Sequence, residues 1–300
     1  MNGDKKKKPH SKALKCMGCS LSVRVGPEQL AAHAAGTRAG PHRTSVDVGT
    51  SPMRTPFSLR MRGRGRKSLS QASPSTPSST MYALVIGVDQ YGHWENLDCA
   101  VRDATCIATW LRAHGFIVVT LKGAEATFAN VARAFMAIPD CKTAVVSLHG
   151  HGAQGKTVSS FVPADACADP NDTSDKISAD FIQSWSMRWN GKQALIVADC
   201  CFGGNFVLPP QVKMRGYRDS QKERVRMILS ASTMDELVPD RQQGEHNSPL
   251  TRSMLRVLGN KRWNGSVLDL FVSIRKMTPE GCTPKMARLS GDQGGDIWLR

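Results

Sequence analysis

With 300 residues, 40% of them apolar, the chain is long enough to build a core that needs neither disulfides nor a bound metal. Its formal charge of +15 is unevenly placed: residues 1 to 80 carry fifteen Lys and Arg against Asp4, Glu28 and Asp47, a net +12, which leaves only +3 for the remainder. No apolar run approaches the ~18 residues of a membrane-spanning helix, and the start, MNGDKKKKPHSK, lacks the apolar core of a secretory leader.

The first eighty residues combine a Lys run (Lys5 to Lys8), the Arg-Gly stretch RMRGRGRK (60 to 67) and the Ser/Pro/Thr segment SLSQASPSTPSST (68 to 80). Such a composition cannot bury enough apolar surface to offset chain entropy, so a disordered basic tail over 1 to 80 is expected, with at most a short helix around 27 to 35. Cys16 and Cys19 form a single CxxC with no second pair. His33 and His42 are poorly spaced to complete a zinc site, so two ordinary thiols are expected there. The nine cysteines as a whole read as reduced intracellular thiols.

From Met81 onward short apolar runs alternate with helical patterns. The runs are YALVIGV (82 to 88), FIVVTL (116 to 121), TAVVSL (143 to 148), ALIVAD (194 to 199) and VRMILSAS (225 to 232). The helical patterns are ATCIATWLRAHG (104 to 115), NVARAFMAI (130 to 138), SADFIQSWSMRW (178 to 189), and stretches from about Pro249 to Leu258 and from about Ser266 to Lys276. Unbroken β-branched runs suit strands covered on both faces, and intervening helices suit right-handed crossovers. The expectation is an α/β fold: a mostly parallel sheet of about six strands with helices on both faces. Gly115 is expected to cap the first helix at its C-terminus, and Ser178 the third at its N-terminus. The domain then divides into 81 to 204, a charged, Pro-containing linker over 205 to 224, and 225 to 300.

In an open parallel sheet, reactive groups gather past the carboxyl ends of strands. Two ends stand out: TAVVSL runs into His149-Gly150-His151-Gly152, and ALIVAD runs into Cys200-Cys201-Phe202-Gly203-Gly204. A thiol near an imidazole is what nucleophilic catalysis requires, because the imidazole raises the thiolate fraction and later protonates the leaving group. Flanking glycines allow close substrate approach and expose amides for an oxyanion.

Strand then HGHGAQ, followed some fifty residues later by strand then DCCFGG, resembles the caspase-like cysteine peptidase superfamily, and its metacaspases in particular. The likeness extends through LDCAVRDA (97 to 104), ILSASTMDE (228 to 236), SPLTRSMLRVL (248 to 258) and TPKMARLSGDQGGDIWL (283 to 299). It implies His151 as base, Cys201 as nucleophile, and the N–H groups of Gly152 and Cys201 as oxyanion donors. It also implies Asp103 and Asp199 as carboxylates of a pocket for a basic side chain, hence cleavage after Arg or Lys. Position 149, usually Ser in that family, is His here and would narrow the same pocket.

The resemblance requires no cofactor, but some metacaspases are activated by Ca2+, and Asp165 and Asp180 fall near two of the positions that hold it. The linker offers Lys213, Arg215, Arg218, Lys222, Arg224 and Arg226 for self-cleavage within 205 to 226. Expected partners are peptide or protein substrates with exposed Arg or Lys, acted on by a monomer. No membrane partner is expected, and nucleic-acid contact through the basic tail would be weak. The expected location is cytoplasmic, with nuclear import open through the basic runs. Two other classes compete: a non-catalytic caspase-like interaction module with a basic tail, and metal-based hydrolysis through His149, His151 and thiols.

Overall fold

The structure, a computed structural model, describes residues 78 to 156, 158 to 201, 203, 224 to 233, 236 to 279 and 281 to 300. All but the last three residues of the expected basic tail, and most of the linker, lie outside the described residues. In chain order the elements are β1 (Ser78–Gly87), α1 (Ala100–Ala113), β2 (Phe116–Lys122), α2 (Phe128–Met136), β3 (Cys141–His149), β4 (Gly152–Gln154), β5 (Ser159–Phe161), β6 (Ile177–Ser178), α3 (Ala179–Arg188), β7 (Gln193–Asp199), β8 (Val225–Ser230), α4 (Pro249–Leu258), α5 (Val267–Met277) and β9 (Lys285–Arg288).

Six strands form one sheet in the order β2-β1-β3-β7-β8-β9, and β4, β5 and β6 form a small second sheet. The first five strands of the large sheet run parallel, and β9 closes its edge antiparallel to β8. Alternate residues along each strand feed opposite faces, because the side-chain period of a strand is two. Leu84, Ile86, Val146, Leu148 and Ile196 pack with Phe135 of α2 and Trp185 of α3. Val85, Val145, Leu195, Val197 and Met227 pack with Ile107 of α1, Met254 of α4 and Leu270 of α5. Both faces are therefore apolar, which is why these strands show no polar alternation.

Helix boundaries follow local chemistry. Ser178 caps α3, its Oγ accepting from Phe181 N at 3.1 Å, and Ser248 does the same for α4 from Thr251 N at 3.0 Å, with Pro249 at the first helical position. At the end of α1 the cap residue is His114, and Gly115 follows with φ +83, the left-handed turn that glycine takes at no steric cost. Helix α1 itself begins at Ala100, four residues before the expected start, and the expected tail boundary at 80 falls inside β1, which begins at Ser78.

One expectation is corrected outright. Arg226 belongs to β8 and is wholly buried, so it is no cleavage site in an exposed linker. Its guanidinium donates to five backbone carbonyls, those of Ser186 (3.3 Å), Trp189 (3.0 Å), Gly191 (2.6 Å), Lys192 (2.9 Å) and Val225 (3.0 Å), and lies 4.6 Å over the Trp189 ring. The segment between α3 and β7 is thus pinned to β8 by one side chain. Burial lowers its pKa to about 10, still far above neutrality, so the charge persists. Arg226→Ala would leave several buried carbonyls without a donor and is expected to cost roughly 3–5 kcal/mol, read from the urea midpoint, against a change within about 0.5 kcal/mol for Arg188→Ala on the exposed side of α3.

Candidate active site

Strands β3 and β7 pair residue for residue, from Thr143 with Gln193 to His149 with Asp199. The pairing extends one step further, where Gly150 N donates to Asp199 O at 3.3 Å. Two residues past each strand end therefore stand His151 and Cys201, and both line one pocket with Asp103, His149, Gly150, Asp199, Cys200, Val238, Pro239, Asp240 and Ser248.

Glycines make the approach possible. A Cβ on Gly152 would lie 1.9 Å from the Cys201 carbonyl oxygen, so the backbones after β3 and β7 are in direct contact. A Cβ on Gly150 would meet the Tyr91 hydroxyl at 2.5 Å. That hydroxyl accepts from His151 N at 2.8 Å, and the Tyr91 and Trp94 rings lie 4.9 and 5.7 Å from the imidazole. The ring is further held at Nε2, 2.7 Å from the Glu95 carbonyl. A carbonyl can only accept, so Nε2 carries the proton and the basic position of the neutral ring is Nδ1. Burial lowers the His151 pKa from its ordinary value, which keeps the ring neutral.

The two neighbouring cysteines differ. Cys200 is fully buried in the apolar cluster beneath the sheet and its thiol is pushed well above the ordinary range by burial. Cys201 is partly exposed, and its Sγ lies 3.5 Å from Val238 O, on the segment that follows β8.

The pocket floor is acidic. Asp199 is buried, and Oδ2 accepts from Ser248 Oγ (2.6 Å) and Thr251 Oγ1 (2.6 Å) and lies 3.2 Å from His149 Nδ1. Burial alone would raise its pKa, but these bonds and the imidazole outweigh that and hold it below the usual carboxylate range. Asp103, on the first turn of α1, accepts from Asn247 Nδ2 (2.5 Å) and Ser248 N (3.1 Å). Its pKa rises to about 6, first through burial and then through the Asp199 charge. The structure thus brings together His149, His151, Gly152, Asp103, Asp199 and Cys201. Tyr91, Trp94, Asp240 and Thr251 were missed, since a lone Tyr or Asp in a loop carries no periodic or motif signal.

The remaining predicted site residues, Asp165 and Asp180, stand elsewhere. Both are exposed, and Asp165 Oδ1 accepts from Phe128 N at 2.7 Å, at the start of α2. Among the described residues, the groups of potential metal ligands are Asp103 with His149 and Asp199, and Cys167 with Asp172 and Asp175; neither Asp165 nor Asp180 belongs to them. The second group already holds a cation: buried Lys176 Nζ sits 2.7 Å from Asp175 Oδ1, 2.9 Å from Asp172 O and 3.5 Å from Cys167 Sγ. Those residues do not fit a calcium site, which needs six or so convergent oxygens.

The family model described as caspase domain matches residues 80–288, and the chain belongs to that family of cysteine peptidases. Among solved structures, it resembles the protein GSU0716 from Geobacter sulfurreducens, at 21% identity and a TM-score of 0.54, over 70% of this chain and 94% of that one. It also resembles the Drosophila initiator caspase Dronc, at 9% identity and a TM-score of 0.51, over 75% and 84%. These likenesses speak to the fold alone. No curated protein sequence matches.

Because Gly152 has no room for a side chain, Gly152→Ala is expected to force the two strand ends apart, costing about 1–3 kcal/mol in thermal or urea unfolding and altering the alkylation rate of Cys201 by mass spectrometry. Gly92→Ala, whose nearest neighbour would lie at 4.0 Å, should change neither.

Proposed function

We propose that the domain is a metacaspase-type endopeptidase that cleaves after Arg or Lys through a Cys201–His151 dyad. What supports this reading is a single pocket lined by the half-buried Cys201 thiol, the His151 imidazole and the two carboxylates Asp103 and Asp199.

In this reading His151 Nδ1 takes the Cys201 proton, because Nε2 is committed to Glu95 O. The thiolate sulfur attacks the carbonyl carbon of the residue held in the pocket. The resulting oxyanion is held by the backbone N–H groups of Gly152 and Cys201. When the C–N bond breaks, the proton on His151 moves to the departing amine, leaving a thioester on Cys201. Water, deprotonated by the same imidazole, then releases the acid product and regenerates the thiol.

The pocket supports a basic guest on charge grounds. Two carboxylates on its floor attract a guanidinium or ammonium and repel an Asp side chain. Self-cleavage in the linker would use Lys213, Arg215, Arg218 or Lys222, which lie outside the described residues, or the partly exposed Arg224. Purified protein should fragment there, and Cys201→Ala should stay intact.

A fluorogenic peptide ending in Arg tests the whole reading. Cys201→Ala should abolish turnover, His151→Ala should lower it about 10²–10⁴-fold, and an Asp-ending peptide should not be cut. A non-catalytic module would cleave none of them.

Acidity provides a further check. As pH falls through about 6, Asp103 gains a proton and the pocket loses a negative charge, so kcat/KM for the Arg peptide should fall over that window. Asp103→Asn should lower kcat/KM about 10–100-fold and remove that limb. Since Lys176 supplies a cation within its own loop, cleavage is expected to run equally with calcium or a chelator present.

A further inference from the structure

Asp103, His149 and Asp199 each present one ligand atom within 4.8 Å of the others, all three side chains buried and all three facing the pocket. The donor set mixes an imidazole with two carboxylates, whereas carboxylates that merely received a basic guest would need no imidazole beside them. His149 brings one, and its environment suits more than a hydrogen bond.

Nε2 of His149 lies 2.8 Å from Ser147 Oγ, while Nδ1 faces Asp199 Oδ2 at 3.2 Å. In one tautomer Ser147 donates to Nε2 and Nδ1–H donates to Asp199. In the other Nε2–H donates to Ser147, and Nδ1 turns its lone pair toward the carboxylates. The hydroxyl satisfies either state by rotating. The second state is how metal-binding imidazoles are held, with the distal N–H fixed by an oxygen of the outer shell. The carboxylates are similarly oriented: Asp199 by Ser248 and Thr251, and Asp103 by Asn247 and the backbone N–H of Ser248.

We propose that Asp103, His149 and Asp199 form a binding site for a divalent transition-metal ion, best suited to Zn2+, on the floor of the pocket. One nitrogen and two carboxylate oxygens from rigid elements are the three protein ligands of an open zinc centre, whose fourth position here faces the pocket. Calcium is disfavoured, because three ligands fall well short of its usual six to eight oxygens. The site is distinct from the Cys201 thiol and the His151 ring, neither of which belongs to the ligand group. An ion there would stand where a basic substrate side chain must enter, making Zn2+ a competitive inhibitor; that consequence rests on the peptidase reading, whereas the binding does not.

The test uses the full chain carrying Cys201→Ala, so that this thiol cannot contribute, and compares it with the same chain carrying also His149→Ser or Asp103→Asn. Zn2+ binding is measured by titration calorimetry and equilibrium dialysis. Each added substitution should remove one equivalent of bound Zn2+ per chain or weaken that site at least about tenfold. Co2+ should give a visible d–d spectrum without a thiolate charge-transfer band, and this spectrum should vanish in the His149→Ser chain. Circular dichroism and a thermal melt verify folding; if His149→Ser fails to fold, His149→Gln replaces it, keeping volume and hydrogen bonding. Unchanged stoichiometry and affinity in folded variants, or a Co2+ spectrum of thiolate character that survives loss of His149, would overturn the proposal.

Discussion

The in-register pairing of β3 with β7 is the constraint on which the site rests. Parallel strands present their carboxyl ends on the same side, so whatever follows each strand is delivered to one edge. Because His149 and Asp199 are opposite partners, the two segments leave the sheet at the same level, and two further residues bring His151 and Cys201 to a common pocket. A slip of one residue would turn every side chain of β7 to the other face and send Cys201 into the core where Cys200 now lies. The apolar faces forbid that slip, since Ile196 and Val197 each have a cluster of their own to fill on opposite sides. Register is therefore set by burial along the strand, and the reactive groups inherit their positions from it.

The acidic floor works against this stability. Asp103 is 1% exposed and its pKa stands near 6, against an ordinary 3.8. Between those values the native state holds a proton that the unfolded chain has lost, so stability falls as pH rises through that window, by on the order of 3 kcal/mol once both are ionised. Asp199 has the opposite sign, held low by His149, Ser248 and Thr251, and so contributes stability above the ordinary carboxylate range. The two carboxylates share Ser248 as a partner, through its N–H and its hydroxyl respectively. The same residue caps α4, so the helix start and the pocket charge are one structural unit. A partly uncompensated buried charge is tolerable in a core of this size and leaves the pocket poised to accept a cation.

Where the amino-acid pattern carried a strong physical signal, the fold was legible in it. The β-branched runs became strands to within a few residues, and Pro249 to Leu258 became a helix with those bounds, because Ser248 and Pro249 together mark an N-terminus. Strand β9, KMAR, escaped because it has no β-branched residue and lies at the sheet edge, where pairing rather than propensity selects it. The early start of α1 escaped because Cys99 at its N-cap offers no side-chain hydrogen bond to the helix. In the site, the Gly-flanked His and Cys motifs were visible, and so were Asp103 and Asp199 by resemblance. Tyr91, Trp94 and the Glu95 carbonyl, which fix the His151 ring, were not, since their role comes from a loop that meets His151 across some sixty residues of chain and no local pattern encodes it. Arg226 misled for the opposite reason: next to a charged linker it resembles a solvated cation, yet its carbonyl partners make it a post inside the core.

The pocket also draws its walls from both sides of that linker. Asp103, His149, His151, Asp199 and Cys201 precede it, whereas Val238, Pro239, Asp240 and Ser248 follow it. These later residues are held by non-covalent means: β8 pairs with β7 from Val225 to Ser230, Arg226 ties β8 to the carbonyls around Trp189, and α4 packs its apolar face against the sheet. Asp240 closes the rim by accepting from the backbone of Asp98 and from the Cys99 thiol. None of these contacts requires an unbroken chain between residues 204 and 223. A cut in that stretch would therefore leave the register, the positions of His151 and Cys201 and the acidic floor in place.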